Sequence, residues 1–206
     1  MRLLFALSIL LLTIVSKAQE TKNEYYENGV LKSAGLLQND KKQGLWKFYY
    51  PEGQLNAEVY YKDDLPDSLS VYFTKTGKKE SLETWKNGTL HGLYQVFYEN
   101  GQIMSEGYYE AGVQEGEWKM HHRNGHPHKL GHHRLGLMEG VWKIWDVSGT
   151  LLEETTMKDG IQEGLAKFYF PNGKLQYEGN YHRSKMKGEW KTYDEKGELL
   201  KTKNYK

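Results

Sequence analysis

The residues of this chain that could do chemistry are histidines, and most of them are clustered. Six of the eight histidines lie within residues 121–133. Several neutral imidazoles that converge can bind zinc or copper. The candidates are His122, His126, His128 and His132; as a hairpin, the segment would place the first two opposite each other and the last two on one face. The alternative is that histidine substitutes for tyrosine at aromatic positions of a repeat. We favour it and predict no metal and no cofactor.

Catalytic motifs are absent from the sequence. The chain has no cysteine, no serine in a nucleophile elbow, and no glycine-rich loop that opens a helix to hold phosphate. Its carboxylates recur in one repeating column, which is typical of a solvated face. The sequence therefore predicts a protein that is not an enzyme.

A 24-residue repeat organises the whole chain. Each copy contains one glycine at a fixed station, and a second glycine series stands nine residues ahead of it in most copies. The copies begin at residues 20, 44, 68, 92, 116, 140, 164 and 188. The glycines of the first series are Gly29, Gly53, Gly77, Gly101, Gly125, Gly149, Gly173 and Gly197.

Each copy predicts two strands and two tight turns. Segments such as Pro51-Glu52-Gly53 and Pro171-Asn172-Gly173 favour a three-residue hairpin loop with a G1 bulge, in which glycine takes the left-handed position. The flanking runs are rich in aromatic and branched residues and have strand length. We therefore predict an all-β, elongated array of stacked antiparallel hairpins with about sixteen short strands and no helix after the leader.

The copy at 68 departs from this pattern. Ser68, Ser70 and Lys79 replace the usual glycine, aromatic residue and leucine, and Pro66 precedes them. We expect a bend or a weak point near residues 62–82.

Alternation along the strands predicts which residues share a face. Stations are counted from the first residue of each copy. In the copy at 44 we expect the aromatic residue at the sixth station (Tyr49), the leucine after the turn (Leu55) and the tyrosine six residues later (Tyr61) on one face. The third-station tryptophans should lie on the other face, with residues such as Glu58. These tryptophans are the candidate partner-binding residues: Trp46, Trp118, Trp142 and Trp190. The alternative, which we favour, is that they pack inside the array, since each recurs at a fixed station.

The first residues resemble a secretory leader. Arg2 precedes an apolar run over residues 3–15, and Ser16-Lys17-Ala18 supplies small residues at the positions that a signal peptidase recognises. We predict a signal peptide over residues 1–18, a single repeat domain over 19–206, and an exported, periplasmic or secreted protein. The apolar run is shorter than the ~20 residues that a bilayer span needs, so we expect no stable membrane insertion.

Charge adds little about partners. Without Arg2 and Lys17 the chain carries 26 basic and 27 acidic residues with the signs interleaved. No basic stripe could follow a phosphate backbone, so we expect no nucleic-acid partner. An unidentified protein partner is the leading expectation, and a glycan or cell-wall partner bound through surface aromatics is the alternative.

The repeat resembles the bacterial variant of the MORN repeat. That variant has the pattern Gly-x-Trp-x-x-Tyr, Gly-x-Leu, Tyr-x-x-Gly and Gly, which is similar here to Gly140-Val-Trp142, Trp145, Gly149-Thr-Leu151, Gly160 and Gly164. The resemblance covers residues 20–206 and implies stacked hairpins with a role in protein or surface interaction. Many similar bacterial chains are YwqK-family antitoxin proteins, which implies that the partner would be a toxin. The family supplies no catalytic residues.

Overall fold

The computed structural model describes residues 19–206 as one open, antiparallel sheet of 17 strands, without a helix in this part of the chain. The strands pair in chain order, as the predicted array of hairpins requires, except that β5 and β6 both pair with β4. The all-β fold class is therefore confirmed. The strands are Glu20–Tyr25 (β1), Leu31–Gln38 (β2), Lys41–Tyr49 (β3), Leu55–Lys62 (β4), Leu65–Pro66 (β5), Ser68–Phe73 (β6), Lys79–Lys86 (β7), Thr89–Phe97 (β8), Ile103–Glu110 (β9), Val113–His121 (β10), Pro127–Arg134 (β11), Leu137–Trp145 (β12), Leu151–Lys158 (β13), Ile161–Tyr169 (β14), Leu175–His182 (β15), Lys185–Tyr193 (β16) and Leu199–Tyr205 (β17).

The predicted leader, residues 1–18, lies outside the described residues, so the leader and export stay predictions. Within residues 19–206 no helix is long and apolar enough to cross a membrane.

The turn that joins the two strands of each copy has the predicted geometry. All eight glycines of the first series have φ between +79° and +96°, a region that L side chains rarely adopt. In the copy at 44, the Gly53 amide donates to the Tyr50 carbonyl and the Tyr50 amide donates to the Gln54 carbonyl, both at 2.8 Å. The three-residue loop with a G1 bulge is therefore confirmed.

The turn between copies is a two-residue loop. Between the copies at 44 and 68 it is formed by Asp63 and Asp64, whose φ angles are +51° and +70°. Two left-handed residues in succession define a type I′ turn, whose twist matches that of the strands it joins. Carboxylates of a neighbouring strand hold several of these loops: the Arg183 amide donates to Glu163 at 2.9 Å.

A bulge after each glycine turn decides which side chains share a face. Phe48 pairs with Ala57 but Tyr49 pairs with Leu55, so one residue of β4 has no partner. We call face A the face that carries Trp46 and its partner Val59, and face B the opposite face. All the side chains that are buried in the described residues lie on face A: Ser33, Trp46, Ala57, Val59, Ser70, Ser81, Trp118, Trp142, Thr155, Ala166 and Trp190.

This register corrects the expected distribution of side chains. The expectation that the late tyrosine lies with the leucine is wrong, because Tyr61 packs against Trp46 on face A, with ring centroids 6.3 Å apart. The expectation that Glu58 lies with the tryptophan is also wrong, because Glu58 pairs with Lys47 on face B. The extra residue of the bulge reverses the alternation between the leucine and everything that follows it.

The copy at 68 is irregular, as its sequence suggests. Its first strand is divided into β5 and β6, because the Asp67 amide leaves the ladder and donates to the Tyr60 carbonyl at 2.8 Å. This division makes 17 strands out of the sixteen that eight hairpins require. Ser68 stands at the station that is glycine in six other copies and has φ of +91°, which is strained for a residue with a side chain.

Candidate binding surfaces

The four candidate partner-binding tryptophans lie inside the array. Their exposed fractions are 1% for Trp46 and 4% for Trp118, Trp142 and Trp190. The indole Nε1 of Trp46 donates to the Leu36 carbonyl at 3.1 Å, and that of Trp190 donates to the Asn180 carbonyl at the same distance. A partner or sugar could reach these rings only if neighbouring side chains moved away.

Each of these indoles covers a glycine on the preceding strand. A Cβ added to that glycine would overlap the ring, so no other residue fits without displacement. The pairs stand eleven residues apart: Gly35 with Trp46, Gly107 with Trp118, Gly131 with Trp142, and Gly179 with Trp190. Sequence reasoning missed this third glycine series, although its spacing from the tryptophans was visible.

The other copies change both members of the pair together. The corresponding pairs are Val59 with Ser70, Glu83 with Tyr94, and Thr155 with Ala166. No copy combines a tryptophan with a side chain larger than glycine at the partner station. The pairing is therefore a steric interlock between successive copies, which explains the recurrence of tryptophan by packing.

The histidines do not converge on one point. The rings of His122 and His128 lie 4.5 Å apart, but His122 Nε2 donates to the Trp145 carbonyl at 2.9 Å. His126 Nδ1 lies 3.2 Å from the Val147 carbonyl, and His132 lies on face B opposite Glu117. Burial, with smaller contributions from His122 and Lys129, lowers the pKa of His128. Residues 19–206 contain no group of three side chains that could hold a metal ion.

Two histidines occupy tyrosine stations. His122 stands at the station that Tyr98 occupies in the copy before. The Tyr98 hydroxyl donates to the His121 carbonyl, which is equivalent to the Trp145 carbonyl that His122 contacts. His133 stands where the copy before has Tyr109, between the indoles of Trp118 and Trp142, with centroids 5.8 and 5.0 Å away. Burial, assisted by the positive charge of Lys129, lowers the pKa of His133. These contacts fit the interpretation that histidine substitutes for an aromatic residue.

A ladder of opposite charges crosses face B. Lys143 and Glu154 pair at 2.9 Å, and Tyr169 donates to the same carboxylate at 2.7 Å. The hydrogen bond from Lys143, followed by that from Tyr169, lowers the pKa of Glu154. Burial, followed by the contact with Glu154, raises the pKa of Tyr169 to about 12. The charge of Glu154 is thus paired within the sheet, and its lowered pKa does not suit a general acid or base near neutral pH.

An exposed apolar row lies beside this ladder in the N-terminal half. The residues directly opposite one another on face B include Leu45 with Tyr60 and Leu93 with Tyr108. Tyr60 is 46% exposed and Tyr108 is 56% exposed. Seven principal strands at ~4.8 Å make the row roughly 30 Å long. The apolar residues of the row are Leu36, Leu45, Tyr60, Leu69, Leu93 and Tyr108, and the polar Thr84 stands at the station that β7 contributes.

The row ends in the middle of the sheet. Glu117 and His132 stand at the next two stations. Beyond them, Val141 and Leu165 are exposed, but Thr156 and Asn180 stand opposite them. The two halves of face B therefore offer different surfaces, and the N-terminal half carries the longer apolar run, which only Thr84 interrupts.

A family model described as the MORN repeat variant matches residues 42–63, 90–111, 162–183 and 186–206. The matched segments begin at multiples of the 24-residue period from one another, and the model is that of a repeat, not of a catalytic family. No curated protein matches the chain.

Two solved structures are similar over most of this chain. The crystal structure of TcdB2-TccC3-Cdc42 is 12% identical, with a TM-score of 0.20, over 89% of this chain and 13% of that chain. The crystal structure of TcdB2-TccC3 is also 12% identical, with a TM-score of 0.21, over 91% of this chain and 14% of that one. This chain thus spans about a seventh of their length, and likeness at this level says nothing about its role. What the comparisons show is the match of four segments to the MORN repeat variant.

Proposed function

We propose that this chain is a non-catalytic repeat protein that binds a protein partner through the apolar row on face B. The single observation that carries the proposal is the row itself: six of seven successive principal strands contribute an apolar residue to it, and four of these residues are exposed. Soluble proteins rarely expose contiguous apolar surface unless it is used in an interaction. Repeat arrays also build their binding sites on such extended surfaces.

The row favours a partner with an apolar strip and a mixed charged border. Lys47 and Glu58 form an ion pair at 3.0 Å on the same face, one station away from Leu45 and Tyr60. A paired charge ladder can fix the register of a partner while the leucines and tyrosines supply the buried area. The four tryptophans are excluded from this proposal, because they support the sheet from face A.

The leader adds a location to the proposal. With export, the partner would be a periplasmic or secreted protein. The resemblance to YwqK-family antitoxin proteins supports a more specific version, in which this chain binds and neutralises a toxin.

A cell-wall or glycan partner is the second candidate. The observation that favours it is the exposure of Tyr60 and Tyr108 on one face. Sugars stack on such rings, and the two tyrosines lie four strand spacings apart, or roughly 19 Å.

Binding to two preparations separates these candidates. Purified 19–206 protein would be incubated with envelope extract and with isolated cell wall. The test variant is Tyr60→Ser/Leu69→Ser/Tyr108→Ser, and the matched control is Val141→Ser/Leu165→Ser, which alters exposed apolar residues outside the row.

The proposal predicts a protein that co-purifies with the wild type and the control but not with the row variant. Retention on cell wall that depends on the two tyrosines would instead establish the glycan candidate. Equal capture by the row variant would refute the assignment of the surface.

A further inference from the structure

In the copy at 68, a glutamate stands at the station where four other copies have the glycine that packs under a tryptophan. Glu83 stands at the station that is glycine, valine or threonine in most copies, on face A, with Ser70 directly opposite on one side and Tyr94 on the other. Its side chain is half-buried. No ion pair involves Glu83 among residues 19–206, so the charge has no cation within the described chain.

Hydrogen-bond donors and aromatic rings surround this carboxylate. Ser81 Oγ donates to it at 3.2 Å. Burial raises the pKa of Glu83, while contacts with Ser81, Trp85 and Tyr72 oppose the rise. Burial and the proximity of Glu83 raise the pKa of Tyr72 to about 12. The carboxylate therefore lies in a partly desolvated site with three aromatic neighbours.

A further polar atom in this cluster lacks a partner. Ser70 is completely buried, and its Oγ has no hydrogen bond to any residue of the described chain. Its side chain points to the same face as Glu83, because the two residues are directly opposed. The buried Trp85 Nε1 is a donor only and is directed at the Glu83 carboxylate, whose pKa this contact lowers. Ser70 Oγ can accept a hydrogen bond, which favours an occupant with N–H groups near this atom.

The preceding copy shows which occupant such a site accepts. There the chain's own Lys42 places its Nζ 4.8 Å from the ring centroid of Trp46, 5.3 Å from that of Phe48 and 5.0 Å from that of Tyr61. Ammonium groups are attracted to the faces of such rings. In the copy at 68, Pro66 stands at the station of Lys42, and Ser70 stands at that of Trp46. The stations of the other two rings, Phe48 and Tyr61, hold Tyr72 and Trp85. There the chain therefore keeps two of the three rings and adds the Glu83 carboxylate, without the ammonium group.

We propose that Glu83, Ser70, Tyr72, Trp85 and Tyr94 form a binding site for an organic ammonium group that comes from outside the chain. The group is carried by a free alkylamine or by a lysine side chain of a peptide. This site goes beyond the function proposed above, because it lies on face A and does not depend on the apolar row.

The chemistry of the site distinguishes an ammonium from a metal ion. One carboxylate is too few for a cation that needs several hard ligands, whereas a single carboxylate with aromatic faces suits a weakly hydrated organic cation.

Titration with n-butylammonium chloride at constant ionic strength and pH 8 tests the proposal. The indole N–H signal of Trp85 in the ¹H–¹⁵N spectrum reports occupancy, with sodium chloride as the reference. The test variant Glu83→Gln keeps the shape and removes the charge. The control Glu106→Gln alters a glutamate on face B that accepts a hydrogen bond from Gln95.

We expect saturable shifts of the Trp85 signal that weaken at least tenfold in Glu83→Gln and are unchanged in Glu106→Gln. A second variant, Pro66→Lys, introduces the ammonium that the preceding copy already has and should abolish the response to butylammonium. It keeps the test informative if Glu83→Gln fails to fold by circular dichroism.

Parallel titration with the peptide acetyl-Gly-Lys-Gly-amide separates the sources. Tighter binding of the peptide than of butylammonium assigns the site to a lysine side chain, and equal or weaker binding assigns it to a free amine. No saturable shift with either probe, or equal affinity in Glu83→Gln, would overturn the proposal. Neither outcome changes the result expected for the row on face B.

Discussion

The interlock between Gly131 and Trp142 predicts a strong coupling between two substitutions. Trp142 is 4% exposed, and truncation of a buried tryptophan to alanine costs about 3–5 kcal/mol. A Cβ at Gly131 would overlap the indole of Trp142, so Gly131→Thr should cost about 1–3 kcal/mol or more by overpacking. Independent effects would therefore add to roughly 4–8 kcal/mol.

The double variant Gly131→Thr/Trp142→Ala should cost much less than this sum. It reproduces Thr155 with Ala166, a pair that the array already contains, and threonine fills part of the space that the ring leaves. We expect a loss close to that of Trp142→Ala alone, with a favourable coupling of about 1–3 kcal/mol. The free energy of unfolding would be measured by urea titration with far-ultraviolet circular dichroism as the signal.

The reverse exchange is the matched control. Ala166→Trp should destabilise the protein while Thr155 is present, and Thr155→Gly should relieve that loss. If both double variants lose the sum of their single effects, the steric interlock is refuted and tryptophan recurs for another reason.

Three further predictions concern strain, pH and the turns. Ser68→Gly should raise the free energy of unfolding by about 1 kcal/mol in urea titration. The φ of +91° strains serine by ~1–3 kcal/mol, and the greater conformational entropy of glycine in the unfolded chain offsets only part of the strain that is relieved. An unchanged or lower free energy of unfolding would contradict the strain. Since burial lowers the pKa of His133 in the folded state, its contribution to stability should be full above the unfolded pKa of about 6.5 and should be lost as the pH falls below it. Stability measured from pH 8 to pH 5 should then fall less in His133→Tyr than in the wild type, and parallel curves would exclude this role. Asn172→Ala should cost about 1–2 kcal/mol, because its side chain accepts from the Lys174 amide and donates to the Glu195 carbonyl of the next copy, both at 3.0 Å; a thermal melt unchanged within error would show that these bonds contribute nothing.

The architecture could be predicted because its determinants are local. Pro51-Glu52-Gly53 specifies a turn whatever surrounds it, and the constant period then fixes the order of the strands. The distribution of side chains over the faces could not be obtained in this way. The extra residue between Leu55 and Ala57 has no local signal, yet it moves Tyr61 to the face of Trp46.

The candidate sites were less predictable because they depend on neighbouring strands. The sequence shows that Gly35 precedes Trp46 by eleven residues, but only the strand register shows that the two are in contact. Likewise, nothing adjacent to Glu83 in sequence indicates that Tyr94 and Ser70 flank it. The histidine cluster is the opposite case, since residues close in sequence point to different partners and faces.

The placement of the tryptophans on face A against glycine is the claim on which the surface assignments depend. The most direct measurement is the chemical shift of the glycine Hα protons in the 19–206 protein. We expect strong upfield ring-current shifts and contacts with indole protons for Gly35, Gly107, Gly131 and Gly179, and ordinary shifts for turn glycines such as Gly53. Ordinary Hα shifts at all four positions would contradict this placement, and the tryptophans would again be candidates for the partner-binding surface.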